Sequence, residues 1–217
     1  MSLKEFTVRI PDEEGIIAAA KVDLPAGEEI AWSTLIKFED SIDCFMTVNR
    51  TYVPLQNGRT IQDCYNGYIG KLSFKEKRSA SEFVIYAYRT LIDGCAVGTR
   101  MSFRDCETGE LKNLRTYWNY SVSVLDPSSI KNEIAAAPDG KITVDAVSRM
   151  MRERCNLQMI LEGVILDTLE TVPFREVKRT STAMGEKVIN EFVKSDAITK
   201  TGFQLKAVTL GNIELTD

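Results

Sequence analysis

The stretch LKNLRTYWNYSVSVLDP, residues 111–127, carries the strongest structural signal in the chain. Leu114, Thr116, Trp118, Tyr120, Val122 and Val124 fall on alternate positions, so a strand from Leu111 to Leu125 turns them all to one face. β-branched and aromatic side chains suit a half-buried pleated surface, and Trp118 with Tyr120 supplies the aromatic part of a core. Asp126-Pro127 ends the alternation. Asp126 suits an N-cap and Pro127 suits the first helical position, where no backbone N–H is needed, so a short helix from Ser128 to Ile134 is expected. The chain thus reads mostly as strands before Asp126 and mostly as helices after it.

Upstream, further strands are predicted at Leu35–Phe38, Cys44–Val53, Ile69–Phe74, Phe83–Leu91 and Ala96–Phe103. Pro25-Ala26-Gly27, Gln56-Asn57-Gly58, Asp93-Gly94 and Thr108-Gly109 punctuate them with turn chemistry. Phe6, Val8 and Ile10 alternate, as do Ile16, Ala18, Ala20, Val22 and Leu24, with Asp12-Glu13-Glu14-Gly15 between the two runs. An N-terminal hairpin from Lys4 to Leu24 is therefore expected. Downstream, Pro138-Asp139-Gly140 marks a turn. One long helix is predicted from Thr143, its candidate N-cap, to Val172, where Pro173 stops it. A second runs from Phe174 to Val193, with Val177, Met184, Val188, Ile189 and Phe192 on one stripe. Gly202 then opens a closing strand, Phe203–Leu215. The sum is an α+β fold: a mainly antiparallel, β-rich N-terminal half, two long helices and a closing strand.

Composition narrows the chemistry. The 217 residues suffice to bury a core without a disulfide or metal staple. There is no histidine, which removes Ser-His-Asp and Cys-His nucleophiles, His-ligated zinc or haem, and a histidine pH switch. Neither GxGxxG nor GxxxxGK[ST] occurs, so no familiar phosphate loop is present. Cys44, Cys64, Cys95, Cys106 and Cys155 are odd in number and none stand at CxxC spacing, which fits buried free thiols in a reducing cytoplasm. Glu153, Glu162, Asp167 and Glu170 read as the solvated face of a helix, and Met150, Met151 and Met159 as core packing. No active site can be assembled, and neither a metal nor a cofactor is expected. The net charge of −4 argues against nucleic acid as a partner. No apolar leader or membrane span is evident, so a soluble, cytoplasmic protein is expected.

One surface stands out. Lys71, Lys75, Lys77 and Arg78 cluster beside Tyr65, Tyr68 and Phe74, and basic residues interleaved with aromatics can bind single-stranded nucleic acid by charge and stacking, or form a contact surface for a protein partner or a membrane. Glu76 and Glu82 dilute the patch, and an ordinary solvated hairpin is the plain alternative.

The order of elements resembles the stomatin–prohibitin–flotillin (band 7, SPFH) superfamily. The similar stretches are Ser81–Tyr88, Gly98-Thr99, the 113–127 run into Asp126-Pro127, and Gly202–Ile213 as a closing strand. The soluble bacterial branch labelled virion-core-protein-like is the most similar. The resemblance implies an N-terminal hairpin extension over residues 1–34 and an SPFH-like α+β domain over 35–217. It implies a non-enzymatic scaffold that forms homo-oligomers and recruits protein partners, with peripheral contact to a membrane. A phage- or virus-encoded structural protein is the second reading. The family's N-terminal membrane anchor and C-terminal coiled coil have no counterpart in these residues, which weakens the carry-over of tight membrane attachment and large cages.

Overall fold

The computed structural model describes residues 4–10, 17–24, 30–48, 50–71 and 83–216. In chain order the strands and helices are β1 (Glu5–Thr7), β2 (Ile17–Val22), β3 (Leu35–Lys37), β4 (Ile42–Val48), β5 (Thr51–Pro54), β6 (Arg59–Thr60), α1 (Ile61–Tyr68), β7 (Phe83–Arg89), β8 (Ile92–Arg104) and β9 (Leu111–Val124). Then follow α2 (Pro127–Ala136), β10 (Lys141–Thr143), α3 (Val144–Arg154), α4 (Leu157–Leu169), α5 (Phe174–Val177), a 3-10 turn (Lys178–Thr180), α6 (Ser181–Lys194), α7 (Ala197–Thr201) and β11 (Phe203–Thr216). This is the expected mixture of sheet-rich N-terminal region, C-terminal helices and closing strand. The chain divides into two units, Met1–Thr90 with Pro127–Thr143, and Leu91–Asp126 with Val144–Asp217.

The first unit holds a five-stranded sheet of order β10-β2-β7-β4-β5 and a small sheet of order β1-β3-β6. The predicted N-terminal hairpin does not form. β1 pairs in parallel with β3, and β2 lies antiparallel between β7 and β10. Alternation marked both segments as strands but carried no information about partners. The two sheets share a core in which Phe6, Val8, Ile36, Met46, Val53, Ile61 and Ile85 are buried. The opposite face of β4 is aromatic: Phe45 stacks on Tyr86 at 4.9 Å and 13° and meets Tyr52 and Tyr88 at 5.0 and 6.3 Å. The strand predicted from Cys44 to Val53 is two, β4 and β5, with Arg50 at φ 67° between them.

The second unit is a three-stranded antiparallel sheet, β11-β9-β8, covered on one face by helices. β9 buries Leu114, Thr116, Trp118, Tyr120 and Val122, the face its alternation predicts. Val97 and Phe103 from β8, and Leu205, Val208 and Leu210 from β11, join them in the buried layer. Thr99 and Thr116 face one another across the strands with their hydroxyls 2.7 Å apart, and Trp118 Nε1 donates to Thr116 Oγ1 at 2.9 Å. The Thr99, Thr116 and Trp118 polar groups thus satisfy one another within the sheet. Gly202, at φ 71°, ends α7 with its N–H on Ile198 O, and its own carbonyl accepts from Leu125 and Asp126. One glycine therefore fixes both the end of β9 and the start of β11.

The helices correct the expectation in one consistent way. The helix expected from Thr143 to Val172 is two, α3 and α4, because Asn156 adopts the left-handed conformation at φ 51°. Asn is among the few residues that tolerate that region. Thr143 is the last residue of β10 and directly precedes α3, which is the place of a cap. The helix expected from Phe174 to Val193 is α5, the 3-10 turn and α6. α6 lies unusually close to β11: a Cβ on Gly185 would sit 2.0 Å from Val208 O. α1, in the first unit, was not anticipated. The strand expected over Ile69–Phe74 is not present at Ile69–Lys71, and 72–74 lie outside the described residues.

Candidate interaction surface

Of the seven residues singled out from the sequence, the structure describes three. Tyr65 is buried on α1 and packs edge-on against Trp32, ring centroids 5.2 Å apart, so its ring belongs to the core. Tyr68, at the end of α1, is exposed and touches Tyr52 edge-on at 5.9 Å. Lys71 is exposed. Phe74, Lys75, Lys77 and Arg78 lie outside the described residues.

Thiol chemistry is suppressed where it is buried. Burial, and then the Asp43 carboxylate, push the Cys44 thiol far up. Burial pushes Cys95 up to about 11 and raises Cys64 and Cys155. A nucleophile needs the thiolate, so these four sulfurs act as small apolar side chains. Cys106 departs from the expected pattern by being exposed, in the loop between β8 and β9. Among the described residues no three Cys, Asp or Glu side chains gather as metal ligands do. No described helix is long and apolar enough to cross a membrane. In the first unit a cleft of about 440 Å³ opens between β2, β7 and the end of α2, with Lys21, Asp23, Tyr86 and Asp139 on its walls. Met159, expected in the core, is exposed on α4.

The most distinctive exposed feature belongs to the second unit. β8 is the outer strand of its sheet and is 13 residues long. β11, the opposite outer strand, has 14 residues, but part of its edge is occupied: Leu210 N–H donates to Ser181 Oγ at 3.0 Å. β8 pairs with β9 alone among the described strands. A strand edge without a partner presents a row of N–H and C=O groups to the next chain that can satisfy them. The far end of this edge is held firmly. Asp105, at the β8–β9 turn, accepts from the N–H groups of Glu107 and Thr108 at 2.9 and 3.1 Å and from Lys112 Nζ at 2.7 Å. The Lys112 ammonium, with those two backbone donors, holds the Asp105 carboxyl down to about 2.

No residue motif could have revealed the edge. The sequence marks residues 96–103 as a strand, whereas edge position follows from pairing order, which is set by contacts distant in the chain. No family model matches this chain, and no curated protein does so at a significant level.

Proposed function

We propose that this protein is a non-enzymatic scaffold that self-associates through the free edge of β8 and recruits protein partners, as SPFH domains do. Support for the SPFH-like reading comes from the order of elements. A long strand leaves through Asp126-Pro127, helices follow, and a Gly202-led strand returns antiparallel along the same long strand. The observation that carries self-association is the β8 edge, 13 residues without a backbone partner on its outer side among the described strands. Two copies joined there by backbone hydrogen bonds form a continuous sheet with a closed two-fold interface. The raised Cys44 and Cys95 thiols, poor nucleophiles as they stand, support the non-catalytic reading.

Light scattering after size-exclusion tests this. The wild type is expected to run as an oligomer, and Ala96→Lys with Ser102→Lys, which plants lysines along the edge, is expected to run as a monomer with an unchanged circular-dichroism spectrum. A wild type that is monomeric at every concentration, or a folded variant that keeps the oligomeric mass, overturns the proposal.

A further inference from the structure

Tyr117 stands on the exposed face of the β11-β9-β8 sheet with a glycine on either hand. Gly98 is directly opposite it in β8, and Gly211 forms the bulge in β11 beside its partner Asn212. Gly98 brings no side chain to the ring. A Cβ at Gly211 would lie 2.7 Å from Asn119 Nδ2 and 3.5 Å from Tyr117 Cδ1, so the amide and the ring edge are drawn against bare backbone there. Tyr117 as a residue is 47% exposed.

The next row of the sheet is Arg100, Arg115 and Glu214. Arg100 and Arg115 are directly opposite one another, both exposed, and neither forms an ion pair with any described residue. Like charges at directly opposite positions destabilise a sheet, so nothing in the strand pairing itself accounts for this one. Glu214, on the other side of Arg115, is engaged by Asn212, whose Nδ2 donates to its carboxylate. A shallow depression of about 330 Å³ is lined by Arg115, Thr116, Tyr117, Asn212 and Glu214.

We propose that Arg100, Arg115 and Tyr117 form a binding site for a free nucleoside monophosphate. Its phosphate lies across the two guanidiniums and its base lies on the Tyr117 ring. A phosphate monoester carries about −1.5 to −2 charge near neutral pH and matches two facing arginines, whereas each phosphodiester of a polymer carries less. Arginine forks suit phosphate oxygens in paired hydrogen bonds, and an exposed ring offers a base a stacking surface. Rows two residues apart along a strand are separated by about 6.7 Å, which a nucleotide spans between base and phosphorus. Glu214 and Asn212 then face the sugar hydroxyls and the base edge. The net charge of −4 disfavours a polyanion, but it acts over long range and leaves a local pair of positive charges free to hold one dianion. This site does not depend on self-association, since binding is counted per chain.

Titration calorimetry with the full chain tests it, using AMP, adenosine, inorganic phosphate and a single-stranded adenine oligonucleotide without a terminal phosphate. AMP is expected to bind once per chain, with adenosine and phosphate each at least about ten-fold weaker, within the range that stacking and charged hydrogen bonds supply. Arg100→Gln, Arg115→Gln and Tyr117→Ala are each expected to lose about ten-fold in AMP affinity, while Tyr117→Phe retains it. Unchanged melting curves establish that the variants remain folded, and Tyr117→Phe keeps the test valid if Tyr117→Ala does not. Absence of saturable AMP binding, AMP affinity unmoved by both arginine variants, or phosphate binding as tightly as AMP overturns the proposal. So does the oligonucleotide binding more tightly than AMP, which would make a polymer the ligand.

Discussion

The two units treat their sheet edges in opposite ways. In the first unit the five-stranded sheet ends in β10, of three residues, and β5, of four residues closing on Pro54. Short edges and an edge proline leave little for another chain to pair with. In the second unit both outer strands run for 13 or 14 residues in a sheet only three strands wide. The cores differ in the same sense. β4 is buried on both faces, with aliphatic side chains to one side and Phe45, Tyr86 and Tyr88 to the other, whereas β9 buries one face and exposes Arg115, Tyr117 and Asn119 on the other. One chain thus builds a unit closed by its own packing and a unit with an open face and a long open edge, and the second offers the surfaces on which recognition can act.

Independent cores are the first point at which this contrast can break. The protein has two tryptophans, Trp32 in the first unit and the fully buried Trp118 in the second. Trp118→Ala is expected to cost about 3–5 kcal/mol, as is Phe45→Ala in the first unit. In urea melts, Phe45→Ala should shift the transition seen through Trp32 more than that seen through Trp118. Equal shifts in both signals would mean that the units unfold as one, and a Trp118→Ala loss below about 1 kcal/mol, well under the range for such truncations, would remove β9 from the core.

Next in size is the seam between α6 and β11. Gly185 is buried and its missing Cβ would lie 2.0 Å from the Val208 carbonyl oxygen, which is backbone and cannot swing aside. Gly185→Ala should therefore destabilise the second unit by about 3 kcal/mol, the upper end for overpacking, despite alanine's better helix propensity. A stabilised variant in thermal melts would show that α6 can move off the strand freely. Thr116→Val should cost about 1–3 kcal/mol, since it strands the Trp118 indole N–H and the Thr99 hydroxyl in the core without changing side-chain volume much. Unaltered denaturant midpoints would sink that account.

What the sequence disclosed follows the range of each signal. The buried face of β9 was legible because period two over fourteen residues needs only local chemistry. Gly202 and Pro127 were legible for the same reason, one supplying a positive φ and the other a first helical position. Partnering was not. The segments of β1 and β2 alternate as a hairpin would, yet their partners lie 30 or more residues away. The break at Asn156 was hidden because apolar spacing continues through it, with Met151, Leu157 and Leu161 all buried. α1 has a readable start in the sequence: Thr60 and Asp63 form a capping pair, with Asp63 N–H donating to Thr60 Oγ1 at 3.1 Å. For the candidate surfaces, β8 was visible as a strand, but its edge position and the facing of Arg100 on Arg115 depend on register, which no single strand encodes.

The smallest expected effect concerns the turn that holds the end of the open edge. Asp105 binds two backbone N–H groups and Lys112, and these hold its carboxyl down to about 2 from an ordinary value of 3.8. A carboxyl depressed on folding contributes stability that is complete above its unfolded value and is lost as the pH falls through the folded one. The β8–β9 turn should therefore hold from neutral pH down to about 4 and loosen progressively toward 2, the two carboxyl values of Asp105. Amide hydrogen exchange at Glu107, Thr108 and Gly109 should accelerate over that interval relative to amides at the centre of β9. Asp105→Asn keeps one acceptor oxygen for the turn but gives up the charge on Lys112, so its exchange should be faster at neutral pH and flat across the same interval. The β5 edge of the first unit has no such carboxylate turn among the described residues and should not share this acid response. If Asp105→Asn behaves like the wild type at every pH, the turn is held by its backbone bonds alone and the anchoring of the open edge owes nothing to the charge.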